Sequence, residues 1–210
     1  MITALIRFSV KDEKTMAKLL YKTLLILFMT NNVWGQDTTY FDYDWNKTNK
    51  QNSMYYRIDI KTGEIIERTD YFTSTNQLQM RGQFTSLSPE TMIGYFTWYH
   101  SNGILQHAGK YSDNKEIGEH IWYHDNGLID AIEHYRDGLL DGELKEYYEN
   151  GNLSIKTGFI GGVQNSYTQY YREHGILHSE GMFKNGDRHG VWYFYDMSGK
   201  LLNTNEFKTE

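Results

Sequence analysis

Apolar and polar residues along the second half of the chain follow a pattern that recurs every 24 residues. Each unit contains one glycine from which its other positions can be counted: Gly103, Gly127, Gly151, Gly175 and Gly199. An aliphatic residue follows each glycine by two positions and an aromatic residue follows it by eight. A tyrosine precedes each glycine by four positions, and we call this set the tyrosine column: Tyr99, Tyr123, Tyr147, Tyr171 and Tyr195. Columns that stay in phase over five units identify a repeat protein.

Each unit is predicted to form a β-hairpin. Segments such as residues 95–99 (YFTWY) and 191–195 (VWYFY) are rich in aromatic and β-branched residues, which favour strands. Turns such as Ser-Asn-Gly lie between these segments, and Asn-Gly tolerates the positive φ of a tight hairpin. A lone hairpin cannot bury its face, so neighbouring hairpins should pair side by side. The sequence therefore predicts an all-β protein, an elongated single-layer antiparallel sheet of stacked hairpins.

The regularity of the pattern divides the chain. Five regular repeats occupy residues 94–210, preceded at residues 55–93 by degenerate hairpin repeats in which Gly63, Ile65 and Tyr71 keep the spacing. Residues 36–54 are polar and acidic with scattered aromatic residues, which indicates a flexible leader. Within each regular repeat, the even spacing between the aliphatic and the following aromatic column predicts that both face one side of the second strand.

Residues 184–201 (KNGDRHGVWYFYDMSGKL) resemble the MORN repeat and, more closely, its bacterial variant found in antitoxin-like proteins. Residues 94–111 and 118–135 match the same pattern. The resemblance extends over residues 55–207 and implies an elongated, twisted sheet of hairpins that contacts proteins or membrane lipids without catalysis. One departure is that the tryptophan-type position, seven residues before the repeat glycine, holds His120, Leu144 and Thr168 in the middle repeats.

The first 35 residues predict an export signal. Lys18 and Lys22 precede a short apolar stretch at residues 23–30, and Gly35 ends a small-residue exit of the kind that signal peptidase cleaves. The apolar stretch is shorter than the roughly 20 residues that span a bilayer. We expect Met16 to be the true start and the protein to be periplasmic, envelope-associated or secreted. A buried N-terminal helix is the alternative.

Composition narrows the classes of partner. The chain has no cysteine, which excludes disulfides, a thiol nucleophile and a lipoprotein anchor. Removing residues 1–35 takes away five basic and two acidic residues and leaves 16 basic and 25 acidic ones, a net charge of −9. Nucleic acid and anionic membrane surfaces require clustered Lys and Arg, so both are disfavoured. The predicted partner is a neutral or basic protein, with self-association through the sheet edges as a further interaction.

Candidate chemistry is sparse. His100 and His124 share a column, and with His120 or Asp125 they could form a metal site, but two exposed strand-end residues fit the same pattern. His120 falls in an aromatic column, which favours a satisfied, partly buried histidine. The chain has no Gly-x-Ser-x-Gly motif, and the turns already account for the glycines. We therefore predict no catalytic residues, no cofactor, no metal site and no enzyme activity.

The aromatic residues carry the functional prediction. Four of them stand five positions before the repeat glycine, and we call them the aromatic stripe: Trp98, Trp122, Tyr170 and Phe194. Neighbouring residues of a strand point to opposite sides unless a bulge intervenes. With the tyrosine column as the stacking core, the aromatic stripe is the predicted contact surface. The predicted function is an exported, non-catalytic binding scaffold, antitoxin- or immunity-like in role, and the alternative is a structural, envelope- or membrane-associated repeat protein.

Overall fold

The computed structural model describes residues 38–208, which form 17 strands and one short 3₁₀ helix, Lys50–Asn52. The strands are β1 (Thr38–Phe41), β2 (Lys47–Thr48), β3 (Tyr55–Thr62), β4 (Ile65–Phe72), β5 (Leu78–Leu87), β6 (Glu90–Tyr99), β7 (Leu105–Ser112), β8 (Lys115–Tyr123), β9 (Ile129–Arg136), β10 (Leu139–Leu140), β11 (Gly142–Tyr147), β12 (Leu153–Ile160), β13 (Val163–Gln164), β14 (Tyr167–Tyr171), β15 (Leu177–Lys184), β16 (Asp187–Tyr195) and β17 (Leu201–Phe207). All of them belong to one sheet.

The strands pair antiparallel in hairpin order. From β3 to β9, and again from β14 to β17, each strand pairs with the next one along the chain. The short strands β10 and β11 together form one hairpin arm against β9, and β13 and β14 form one arm against β12. The predicted all-β sheet of stacked hairpins with a 24-residue period is confirmed.

Two kinds of turn alternate along the sheet. At the repeat glycine, Gly103 has φ 82° and its N–H donates to the His100 carbonyl at 2.8 Å, as in a type I turn closed by a left-handed glycine. The links between repeats have positive φ at both central residues, as at Asp113 and Asn114 (49° and 65°), which is the type I′ pattern. The link turns, rather than the Asn-Gly turns, therefore have two residues with positive φ.

A β-bulge recurs in each of the five regular repeats. Trp98 pairs with His107 but the next residue, Tyr99, pairs with Leu105, which leaves Gln106 without a partner residue. The same register shift occurs in the four repeats that follow. Because a bulge interrupts the alternation of side chains, equal parity no longer predicts a common face for the aliphatic and aromatic columns of the second strand.

The core lies on one face of the sheet, which we call the packed face. At its centre is a buried column that stands seven positions before each repeat glycine: Phe96, His120, Leu144, Thr168 and Trp192. Three of its members lie over a glycine of the preceding arm, at Gly82, Gly109 and Gly181, where an added Cβ would overlap the ring. Thr168 instead meets Thr157, with their Oγ1 atoms 2.6 Å apart. Large side chains thus pair with glycine and small ones with each other, as close packing requires.

The first described residues are ordered against the sheet. Strand β1 pairs with β2 and β3, and the Trp45 ring stacks on Tyr55 with centroids 4.5 Å apart. The Arg57 guanidinium lies 4.9 Å from the Phe41 ring centroid and pairs with Asp70 at 2.7 Å. This arrangement over residues 38–54 differs from the flexible leader that composition predicts, because these aromatic contacts join residues that are distant from one another in sequence.

The predicted export signal lies outside the described residues. Within residues 38–208, no helix has the length and apolar character needed to cross a membrane.

Candidate interaction surface

The aromatic stripe lies on the packed face beside the buried column. Each of its residues follows a buried-column residue by two positions in the same strand, so the two side chains share a face. Trp122 is 36% exposed, whereas Trp98, Tyr170 and Phe194 are half-buried. The middle repeat has Glu146 at this position, so the stripe consists of two aromatic pairs separated by a carboxylate.

A buried histidine holds the two tryptophans of the stripe in place. His107, only 4% exposed, stacks on Trp122 with ring centroids 3.7 Å apart and on Trp98 at 4.9 Å. The indole Nε1 of Trp122 donates a hydrogen bond to Glu133 Oε2 at 2.7 Å. Trp122 is therefore fixed at one face and one edge while part of its surface remains open to solvent.

His107 belongs to a buried pair of imidazoles. Its Nε2 lies 3.0 Å from His120 Nδ1, and His120 Nε2 lies 3.0 Å from the Lys110 carbonyl oxygen. Because a carbonyl can only accept, His120 carries its proton on Nε2 and His107 donates from Nε2. Burial and then the neighbouring His120 lower the pKa of His107 to about 4. His107 is thus neutral at pH 7, and the expectation of a satisfied, buried His120 is confirmed.

Glu133 lies at the edge of Trp122, and further carboxylates stand near it on β9 and β11. Glu133 also accepts from the Tyr135 hydroxyl at 2.9 Å, and burial followed by this hydrogen bond raises the pKa of Tyr135. The pKa of Glu146 is raised, mainly by burial and in addition by the nearby charges of Asp130 and Glu133. A cationic group placed among these side chains would relieve their mutual repulsion, so the surface has the electrostatic character that suits a basic partner.

His100 and His124 act as links between repeats. The His100 Nε2 hydrogen bonds to the Tyr123 carbonyl at 3.1 Å, and the His124 Nε2 to the Tyr147 carbonyl at 3.0 Å. The next two repeats have Tyr148 and Arg172 at the equivalent position. Each also donates a hydrogen bond to a backbone carbonyl of the following repeat, Tyr148 from its hydroxyl and Arg172 from its guanidinium. Residues 38–208 contain no group of three or more His, Asp or Glu side chains placed to hold a metal ion.

The asparagine before the repeat glycine is a second link that sequence reasoning did not single out. Asn102 Nδ2 donates to the Asp125 carbonyl at 3.1 Å, and Asn126 Nδ2 to the Glu149 carbonyl at 2.7 Å. Each bond joins one turn to the turn of the next repeat. The sequence feature that could have revealed this link is the asparagine before the repeat glycine in three consecutive repeats. A requirement for positive φ alone does not explain this recurrence.

The opposite face of the sheet also exposes apolar side chains. These residues stand six or eight positions before the repeat glycine, so they alternate with the buried column: Tyr95, Tyr167, Val191 and Tyr193. Tyr95 is 72% exposed, more than any member of the aromatic stripe. Exposure alone therefore does not distinguish the two faces, whereas ring stacking and neighbouring carboxylates distinguish Trp122.

The fold and these surfaces define a class, a sheet protein built from stacked hairpin repeats. A family model described as a MORN repeat variant matches residues 140–159, which cover β11 and most of β12. The match supports a MORN repeat protein, in general a repeat-containing binding or scaffold protein of a family that is generally non-catalytic. A search of the curated proteins finds no match to this chain.

Proposed function

We propose that this chain is an exported, non-catalytic scaffold that binds a protein partner through the aromatic stripe. The observation that carries the proposal is Trp122, a tryptophan held rigidly by His107 and Glu133 yet 36% exposed. Tryptophan and tyrosine dominate the binding energy of protein interfaces because they bury a large area with little loss of side-chain freedom.

The charge of the surface selects the kind of partner. Glu133 is hydrogen-bonded to Trp122, Glu146 takes the stripe position in the next repeat, and the chain without residues 1–35 carries a net charge of −9. A basic protein is the complementary partner, because opposite potentials accelerate association and exclude acidic competitors. The resemblance to antitoxin-like repeat proteins supports a neutralising, immunity-like role, and the signal-like residues 16–35 support action at or beyond the envelope.

The test is a cross-linked pull-down from the native envelope and secreted fractions with three tagged forms of the chain. These are the wild type, Trp122→Ala and the matched control Tyr95→Ala, which removes a more exposed ring from the opposite face. Loss of a central tryptophan costs about 2 kcal/mol or more, roughly a 30-fold weakening. Trp122→Ala should therefore lose a partner that wild type and Tyr95→Ala retain.

Two outcomes would reject the stripe as the interface. Equal recovery of the partner by all three forms would do so, provided that circular dichroism shows Trp122→Ala to be folded. So would a partner lost only with Tyr95→Ala.

A second candidate is a structural, envelope-associated protein that assembles with its own copies. Strand β17 pairs only with β16 within the described residues, and Leu201 and Leu202 on it are 48% and 70% exposed. Unprotected strand edges pair readily with other chains. Recovery of only self-cross-links or membrane components in the same pull-down would favour this candidate over a dedicated partner.

A further inference from the structure

A second concave area on the packed face is lined by cationic side chains. It extends from the third repeat, which contributes Tyr148 and Ser154, across the fourth repeat to Arg188 on β16, and has a volume of about 390 Å³. Two arginines and a histidine line it together with hydroxyl groups, among them Tyr148, Ser154, Arg172, His178, Ser179 and Arg188. Among residues 38–208, no Asp or Glu side chain contributes to its wall. This is unexpected in a chain with 27 acidic and 21 basic residues.

Arg172 enters this area with most of its hydrogen-bonding capacity unused. One nitrogen, Nη2, donates to the Tyr195 carbonyl at 2.9 Å. Its Nε is the buried side-chain nitrogen that lacks a hydrogen-bond partner within residues 38–208. The nearby Asp196 accepts hydrogen bonds from Ser198 and from the Lys200 N–H on its Oδ1, and within the described residues it forms no ion pair with Arg172. Those hydrogen bonds lower the pKa of Asp196 before the charge of Arg172 contributes.

Arg188 also lacks an acidic partner in the described part of the chain. Its guanidinium lies 4.3 Å from the Trp192 ring centroid and 5.5 Å from that of Phe207. A guanidinium stacked on a ring keeps its N–H groups in its own plane, available to an anion at its edge. Arg57 and Arg68 at the other end of the sheet differ, since each pairs with a carboxylate, Asp70 at 2.7 Å and Asp59 at 2.9 Å.

The charges of both guanidiniums affect the His178 ring, which places Arg172 and Arg188 at one site. Burial first, and then the charges of Arg172 and Arg188, lower the pKa of its imidazole. The His178 Nδ1 lies 3.2 Å from the Ser179 hydroxyl. The titratable and charged groups that line the area around this ring are thus the two arginines and the tyrosines Tyr148, Tyr170 and Tyr171.

We propose that this concave area, defined by Arg172, Arg188 and His178, is a binding site for an oxyanion, a carboxylate or phosphate group. Two forked guanidiniums match the oxygens of such a group, and the anion would give Arg172 Nε the acceptor that it lacks. Ser154 and Ser179 offer hydroxyl donors at the same surface. The inference does not depend on a partner at the aromatic stripe.

The site predicts a linkage to protons. An anion beside the His178 ring stabilises its protonated form and raises its pKa toward the ordinary value. Binding therefore takes up protons, and affinity should increase as the pH is lowered through the range in which His178 titrates.

The probe is inorganic phosphate, titrated into the full chain at constant ionic strength with NaCl as the balancing salt. The His178 ring resonances, assigned with His178→Asn, should shift to saturation, and calorimetry should report a single site. Arg188→Gln should weaken binding about tenfold or more, because hydrogen bonds to charged groups contribute strongly. Arg188→Lys keeps a charge but loses the fork, so it should also bind more weakly.

Arg136→Gln is the matched control. It removes an arginine that is 75% exposed and lies apart from the site. Affinity for phosphate should be unchanged in this variant and in Trp122→Ala, so that failure of the stripe and failure of the anion site remain distinguishable. N-acetylglutamate in a parallel titration identifies the source, since its binding at the same residues supports an acidic side chain of a partner, and binding of phosphate alone supports a phosphate group.

Three results would overturn the proposal. These are a shift that does not saturate, an affinity unchanged in both Arg188 variants, and an equal loss in Arg136→Gln, which would indicate a general charge effect.

Discussion

Acid should weaken the junction between β7 and β8, because its buried contact is the pair His107 and His120. The pKa of His107 is about 4 in the folded protein, below the 6.5 of an unperturbed imidazole. Between these values the unfolded chain binds more protons than the folded one, so the free energy of unfolding falls as the pH is lowered. The stabilisation is complete above pH 6.5 and is lost progressively toward pH 4.

The magnitude follows from this difference. One pKa unit corresponds to 1.36 kcal/mol, so the full effect is about 3 kcal/mol, and about 2 kcal/mol appears between pH 7 and pH 5. Stacking on Trp122 and Trp98 is the reason that the imidazole is desolvated enough for such a shift. Glu116 lines the same hollow, so the contribution of the histidines must be isolated by mutation.

The preceding repeat supplies the replacement. Its junction contains Met80 and Phe96, with the Phe96 ring over Gly82, where this junction contains His107 and His120, with the His120 ring over Gly109. The double variant His107→Met/His120→Phe therefore installs a pair that already fits this geometry, without a titratable group. Its unfolding free energy at pH 7 should equal that of the wild type. The decrease in unfolding free energy from pH 7 to pH 5 should be about 2 kcal/mol smaller in the variant than in the wild type.

The assay is urea unfolding at both pH values, followed by circular dichroism and by the fluorescence of the flanking tryptophans. His174→Asn serves as the control, because His174 is exposed in a turn and asparagine occupies the equivalent place in three other repeats. An unchanged pH dependence in the double variant, or an equal change in the control, would refute the reasoning.

Two further changes test the packing. Gly181→Ala places a Cβ that overlaps the Trp192 ring and should lower the unfolding free energy, measured in urea, by about 1–3 kcal/mol. Gly158→Ala is the comparison: the nearest atom to its added Cβ is 3.2 Å away, so it should lower the unfolding free energy far less. Asp70→Ala leaves Arg57 without its buried partner and should cost about 3–5 kcal/mol in thermal unfolding. Equal costs for the two glycines, or a loss below about 1 kcal/mol for Asp70→Ala, would contradict these arguments.

The stacked hairpins could be predicted from the sequence because every column of a linear repeat meets the same environment in each unit. The bulge at Gln106 could not, since a defect that recurs in every repeat leaves the 24-residue period intact. The order of residues 38–54 was also missed, because it depends on contacts such as Trp45 with Tyr55 that no local pattern contains.

The candidate sites were only partly predictable for a related reason. Trp122 was visible as a member of a column, but the ring that holds it, His107, stands where the other regular repeats have alanine, isoleucine, serine and asparagine. Arg172 and Arg188 occur in one repeat each and form a site only because adjacent arms bring them together. One sequence feature could have predicted part of the packing of the buried column. Glycine at positions 82, 109 and 181 occurs together with a large ring at positions 96, 120 and 192.

The regular sheet also constrains any partner of the aromatic stripe. Each repeat contributes two hairpin arms, so equivalent side chains stand about 10 Å apart at roughly 4.8 Å per strand. Trp122, Glu146 and Tyr170 therefore form a row of aromatic, acidic and aromatic groups at that spacing. A protein that contacts the whole row must present two apolar groups about 20 Å apart with a basic group midway between them. Because the buried column fixes the strand positions beneath the row, the partner must match this spacing.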